Sequence, residues 1–130
     1  LHPIIEKREA LPATCLGQNR AWLTALGNDQ DFTLAYAREL QAVARPVDIA
    51  LGISTSGQSA NVMRALRTGR ELGLATVGLT GRDGGGMREL CDHCFVVPSF
   101  SIHRIQETHI ALLHVLWDLI HVARGREDVL

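Results

Sequence analysis

The feature that most limits the possible folds is the run Val47-Asp48-Ile49-Ala50-Leu51-Gly52-Ile53, which is mostly apolar and does not alternate cleanly. A strand with one wet face alternates, whereas a strand covered on both faces does not. The run therefore reads as a strand buried on both sides, as in a parallel sheet. A hydroxyl-rich loop follows at 54–59. Val62, Met63, Ala65, Leu66, Gly69 and Leu72 then recur on one helical face, and Gly73 ends that helix. Residues 74–79 form the next buried strand.

The rest of the chain continues this alternation. Residues 80–86 are a Gly-rich loop, 87–90 a short turn or helix, and 94–97 a last strand ended by Pro98. Upstream, residues 12–16 are a possible first strand closed by Gly17. Residues 18–26 read as a short helix ended by Gly27 and Asn28. Phe32, Ala35, Tyr36, Leu40 and Val43 predict a helix to about Ala44, which Arg45-Pro46 stops. Residues 103–124 are the longest helical candidate. Their apolar residues surround much of the helix, which predicts burial between layers or between subunits. Alternating strands and helices define an α/β fold, a three-layer α/β/α sandwich with a parallel sheet. A ligand site in such a fold lies beyond the C-terminal strand ends.

Composition bounds the function. At 130 residues the chain is one domain, and with 46% hydrophobic residues it can bury a core, so disorder is excluded as the main state. Thirteen basic residues against fourteen acidic ones give net −1, which argues against a nucleic-acid surface. No apolar run approaches the roughly 20 residues of a membrane span. The first residues show no signal-peptide pattern, and the lack of an initiator Met leads us to expect residues before Leu1. Three cysteines, an odd and low number, fit a reducing compartment.

The segment Ser54-Thr55-Ser56-Gly57-Gln58-Ser59 carries the most chemistry. It opens a helix, whose N-terminus offers free amides and partial positive charge to an anion. Four hydroxyls in six residues add donors, and Gly57 permits close backbone approach. The loop has no Lys, so it is not a nucleoside-triphosphate P-loop, and it has no G-x-G-x-x-G for a dinucleotide. A phosphate monoester fits it better than a pyrophosphate. The competing reading is a Ser-rich turn with Ser59 as N-cap.

The stretch from Leu51 through this loop to Val62 resembles the phosphosugar loop of SIS (sugar isomerase) domains, which are flavodoxin-like. Three further segments resemble the phosphoheptose isomerase branch of that family. They are Gly27-Asn28-Asp29, Leu79-Thr80-Gly81-Arg82-Asp83-Gly84-Gly85, and Arg104-Ile105-Gln106-Glu107-Thr108-His109-Ile110 with His114. The resemblance runs from about Pro12 to Ile120 and implies an aldose–ketose isomerase. Such an enzyme interconverts D-sedoheptulose 7-phosphate and a glycero-manno-heptose 7-phosphate for bacterial surface heptose (lipopolysaccharide) synthesis. It implies a cytoplasmic tetramer, usually with zinc, and sites between subunits. By position, Ser54, Thr55, Ser56 and Ser59 would hold the phosphate, and Asn28 and Asp29 would touch the sugar. Gln106 and His114 would be metal ligands or catalytic groups, with Gln106 also near substrate.

Three departures stand beside the resemblance. The family's first helix and strand, its C-G-N-G-G-S loop and a following His/Glu pair are missing here. The chain is thus read as a single SIS domain over 1–130 lacking an N-terminal portion. Gln58 stands where Asn is usual, and His103 where Asp is frequent. A non-catalytic SIS module that senses phosphosugars or binds a replication initiator is the alternative function.

Four of the six histidines (His103, His109, His114, His121) fall in the last helix. Moving a proton between adjacent carbons through an enediol suits a histidine near neutral pKa, and a metal could instead polarise the carbonyl. Gln106 and His114 are eight residues apart, about 12 Å along an ideal helix and about 80° around it. They can clasp one ion only if the helix begins after Gln106 or if two chains contribute. His114, Asp118 and His121 align better, but a hydrated or salt-bridged stripe is the preferred reading of them. His109 reads as a satisfied structural histidine. Cys91-x-x-Cys94 lacks a second pair and ends at a strand, so it reads as packing.

Overall fold

The computed structural model describes residues 10–125. Helix α1 (Arg20–Asp29) begins at Asn19, whose side-chain oxygen accepts from the Trp22 amide at 3.1 Å. A 3-10 turn (Phe32–Leu34), capped by Asp31, leads into α2 (Ala35–Val43). Strand β1 (Ile49–Ser54), helix α3 (Ala60–Glu71), strand β2 (Ala75–Gly81), short helix α4 (Met87–Leu90) and strand β3 (His93–Val97) follow. Helix α5 (Ile102–Ala123) closes the described chain. The three strands are parallel in the order β1-β2-β3, with Gly52 opposite Gly78 and Ser54 opposite Thr80. The sheet and its flanking helices are those expected of an SIS-type α/β sandwich.

Even-numbered residues of β1 and β2 face α3 and α4. A side chain at Gly52 would meet Leu66 and Val62 of α3, and one at Gly78 would meet Cys91, Cys94 and Met87. Leu66, Met87 and Cys91 form the centre of this layer, with Ala50, Val62 and Met63 packed against it. Fully burying a side chain such as Leu66 or Met87 is worth about 1.5–3 kcal/mol. Burial pushes the Cys91 thiol up to about 11, with Cys94 beside it adding to the shift. Both cysteines are free and sit in packing positions, as the sequence reading expects. The opposite side of the sheet receives the start of α5, where Ile105 is fully buried against Gly81.

Several expectations are corrected. Residues 12–16 form no strand. Pro12 lacks an amide to donate, no described strand lies beside the segment, and the Gly17 amide instead donates to Glu39 of α2 at 2.7 Å. Helix α1 runs through Gly27 and Asn28 to Asp29 rather than ending there. Strand β1 is covered on one face only: Ile49, Leu51 and Ile53 are 67%, 45% and 46% exposed. Helix α5 is likewise buried only at Ile105, His109 and His121, while Ile110, Val115 and Leu119 are exposed. Among the described residues nothing covers these surfaces, so burial between layers does not occur there, and burial between subunits is the half of the expectation for α5 that remains. The β1-β2-β3 order also shows no reversal of strand order among the described residues, so the loop after β1 is not at a visible switch point.

Asp92 ties the start of β2 to the segment before β3. Its carboxylate accepts from the Thr76 amide and hydroxyl, both at 2.8 Å, and its own amide donates to the Thr76 hydroxyl at 3.0 Å. The backbone bond from Thr76, followed by the side-chain bond, holds the carboxyl below the usual carboxylate range. A depressed folded pKa contributes stability above the unfolded value, near 3.9, and that contribution is lost as pH falls through the folded value. Urea midpoints measured from pH 7 to pH 2 are therefore expected to drop less steeply at the acid end for Asp92→Ala than for wild type.

Candidate functional site: the loop after the first strand

The site is built where β1 ends. Ser54 is the last residue of that strand and is buried, with its Oγ 2.8 Å from the Ser59 Oγ. Ser59 stands at the N-cap position of α3, yet its side chain makes no capping bond. The competing reading of Ser59 as an ordinary cap is thereby corrected: the hydroxyl is held by Ser54 across the mouth of the loop, and of the first amides of α3 that of Val62 donates to the Asn61 Oδ1 at 2.9 Å. The Gly57 amide donates to the Ser54 carbonyl at 3.0 Å, and the Gln58 amide to the Ser56 Oγ at 3.2 Å. The loop is thus curled over the helix end, with Thr55 and Ser56 half-buried.

The Gly-rich loop after β2 supports it from beneath. The Gly81 amide donates to the Thr55 carbonyl at 3.1 Å, and the Met87 amide to the Gly57 carbonyl at 3.2 Å. Gly57 has φ +65, and a Cβ there would overlap the Gly84 carbonyl oxygen. A Cβ on Gly85 (φ +52) would lie 2.6 Å from the Ser56 carbonyl oxygen. The two loops therefore pack backbone on backbone, which only glycine permits. Thr80, fully buried, aims its hydroxyl at the same junction. A cavity of about 490 Å³ lined by Gln58, Asp83, Gly85, Arg88 and Glu89 opens beside them. That volume lies in the range of small-molecule sites. A second cavity, of about 260 Å³, reaches from Gln58 past Ala60 to Thr33, Arg64 and Arg67.

The other candidate residues lie apart. Asn28 and Asp29 are exposed at the end of α1, and Asn28 Nδ2 donates to Asp29 Oδ1 at 2.8 Å rather than to loop 54–59. Thr33, just downstream on the 3-10 turn, is the residue of this region that lines the second cavity. Gln106 and His114 are both exposed on α5. Because α5 starts at Ile102, both lie within one continuous helix. At about 100° per residue, His114 lies about 180° round from Ile105 and about 140° from His109, the two residues that face the sheet. His114 thus points away from the sheet that carries loop 54–59, and the structure does not bring the two together within one chain.

The donor set for a metal is incomplete. Gln106 and His114 offer one oxygen and one nitrogen, separated by about 12 Å along the helix. No cluster of three or more His, Cys, Asp or Glu able to hold a metal occurs among the described residues. These residues alone do not fit a metal centre. The aligned trio His114, Asp118 and His121 does not form one either. His121 is buried, with its ring 4.5 Å from that of Trp117, whereas His114 is exposed.

What sequence reasoning missed is the role of the second loop. The pairing of Gly57 with Gly84 and Gly85 spans a long sequence separation, and its only signal is the run of glycines at 84–86. Replacing Ser59 with alanine strips the Ser54 hydroxyl of its partner and removes one donor from the loop. A hydrogen bond to a charged group is worth about 1.5–3 kcal/mol, so calorimetry is expected to show about 10- to 100-fold weaker sugar-phosphate binding.

A parallel α/β sheet with a serine loop at the end of a strand and a helix N-terminus behind it defines an α/β domain with a place for an anion. The SIS domain family model matches residues 2–81, and the chain belongs to that family. Within the family it is similar to phosphoheptose isomerases. The one from Pelobacter propionicus is 50% identical over 117 residues, which is 90% of this chain and 62% of that protein. Among solved structures, a phosphoheptose isomerase from Francisella tularensis matches with TM-score 0.83 and 36% identity over 87% of this chain and 61% of that one. The phosphoheptose isomerase from Neisseria gonorrhoeae matches with TM-score 0.77 and 40% identity over 79% of this chain and 59% of that one. The chain spans about three fifths of the length of these relatives.

Proposed function

We propose that the protein to which this chain belongs is a sugar-phosphate isomerase. It would interconvert D-sedoheptulose 7-phosphate and D-glycero-D-manno-heptose 7-phosphate in the cytoplasm, as a step toward lipopolysaccharide heptose. The observation that carries the reading is the Ser54–Ser59 hydroxyl pair closing a loop at the mouth of α3. Together with the loop amides it offers convergent donors to a phosphate dianion. Thr55 and Ser56 complete the phosphate cradle, and Asn28 and Asp29 are assigned to sugar hydroxyls.

The chemistry is a proton transfer between adjacent carbons. The phosphate anchors one end of the open-chain sugar, so that C1 and C2 are presented to a fixed acid–base group. His114 is that group in this reading. Its imidazole removes the proton from C1 while the C2 oxygen gains one, giving the enediol, and then returns a proton to C2 while the C1 hydroxyl gives up its own to become the aldehyde. Gln106 hydrogen-bonds the enediol oxygens.

The outward orientation of His114 supports a homo-oligomer, read as a tetramer, in which α5 of one copy serves the loop of another. The exposed residues Ile49, Leu51, Ile110, Val115 and Leu119 supply an apolar surface for such packing. A zinc ion would need Gln106 and His114 from different copies, because about 12 Å of one continuous helix separates them within a chain.

The deciding assay follows sedoheptulose 7-phosphate with the full-length protein. Formation of the aldoheptose phosphate is expected. Binding of the sugar phosphate without turnover would instead favour a non-catalytic phosphosugar-responsive module.

A further inference from the structure

His109 is buried at 4% exposure, and its Nε2 lies 3.1 Å from the Thr80 carbonyl oxygen. It does not touch the proposed phosphate loop. Thr80, however, is where the site's backbone converges. Its hydroxyl points toward the Gly84 carbonyl, and the next amide, that of Gly81, donates to the Thr55 carbonyl at 3.1 Å. Ile105, one turn before His109 on α5, packs directly on Gly81. One face of α5 is thus fastened to the two residues from which both loops of the site hang. The same helix carries Gln106, about 60° round from His109, and His114.

We infer that His109 is a positioning residue: as the Nε2–H tautomer it donates to the Thr80 carbonyl and sets the angle at which α5 leaves its own sheet, and so presents Gln106 and His114 to the sugar-phosphate loop of a neighbouring copy. The inference rests on the isomerase reading above. Thr80 lies within the sheet, opposite Ser54 and Val96, so the imidazole adds a directional bond from α5 to the strand, and without it α5 is held there by apolar contact alone, which fixes rotation poorly. The imidazole acts on backbone, so its effect reaches the reaction through helix orientation rather than through contact with substrate.

The test compares His109→Leu, which keeps the volume and loses the donor, with His109→Gln, whose amide can reach the position of Nε2. In the full-length protein, His109→Leu is expected to lower kcat about 10- to 100-fold while affinity for inorganic phosphate changes little. His109→Gln should restore most of the loss. Equal losses in both variants, or wild-type kcat in His109→Leu, would overturn the inference. A second measurement needs no substitution. Long-range nitrogen–proton NMR of wild-type imidazoles should show His109 protonated at Nε2, with a shift on adding sedoheptulose 7-phosphate. The Nδ1–H tautomer, or no shift while the loop amides do shift, would also overturn it. Wild-type protein that neither binds nor converts the sugar would instead count against the isomerase reading and leave the tautomer result to stand separately.

Discussion

Replacing His114 with alanine in the full-length protein is expected to lower kcat by about 10²–10⁴-fold, the usual worth of a general acid–base group. Affinity for the sugar phosphate should change by no more than about threefold, because phosphate binding is assigned elsewhere. His114 is exposed and lies on the side of α5 opposite Ile105, so its removal leaves no cavity and the fold should tolerate it. The orientation adds a sharper expectation. If α5 of one copy completes the loop of another, His114→Ala and Ser59→Ala protomers share the defects between them. Mixed and allowed to exchange, the two weak variants should regain activity that neither has alone, since some assembled sites carry both wild-type residues. Steady-state kinetics of the mixture checks this. No recovery after demonstrated subunit exchange would place both residues in one chain's site.

The second large effect is structural. Gly57→Ala should abolish sugar-phosphate binding and destabilise the domain by about 2–4 kcal/mol. Two costs combine. The backbone at Gly57 has φ +65, which L-residues rarely adopt, and the added Cβ would overlap the backbone carbonyl of Gly84. A flexible side chain could move aside, but a carbonyl held in a loop cannot without displacing Gly85, which itself abuts the Ser56 and Gly57 backbone. The serine loop would be lifted from its support, and the Ser54–Ser59 pair would open. Chemical denaturation gives the stability loss and calorimetry the binding loss. A variant that unfolds at the wild-type urea concentration and binds normally would show that the loops are not interlocked.

How much of this was legible in the sequence depends on the range of the interaction. Strands β1, β2 and β3 and helices α3 and α5 follow from local apolar runs and periodicity, and their ends fall within a few residues of expectation. Loop 54–59 was legible because four hydroxyls sit between a strand and a helix. The proposed strand at 12–16 failed because a strand needs a neighbour, and composition cannot supply one. Gly27 did not end α1, since a single glycine costs only about 1 kcal/mol inside a helix. An apolar β1 reads the same whether its second cover is its own chain or another one. Burial was therefore predicted correctly for Gly52 and missed for Ile49, Leu51 and Ile53, and Ser54, read as the first loop residue, is the buried last residue of β1. Partners across long separations, such as His109 with Thr80 or Gly57 with Gly84, are not named by local sequence, although the glycine run at 84–86 marks a tight loop. The facing of His114 was available in principle, because helical geometry opposes it to Ile105, but only burial of Ile105 shows which side is inward.

The most direct measurement is a crystal structure of the full-length protein with sedoheptulose 7-phosphate bound. The account predicts the phosphate seated against the hydroxyls of Ser54, Thr55, Ser56 and Ser59 and against the amides there that the loop does not itself use, with the sugar running toward an imidazole from α5 of a neighbouring copy. A phosphate held elsewhere, with water alone at the mouth of α3, would contradict it.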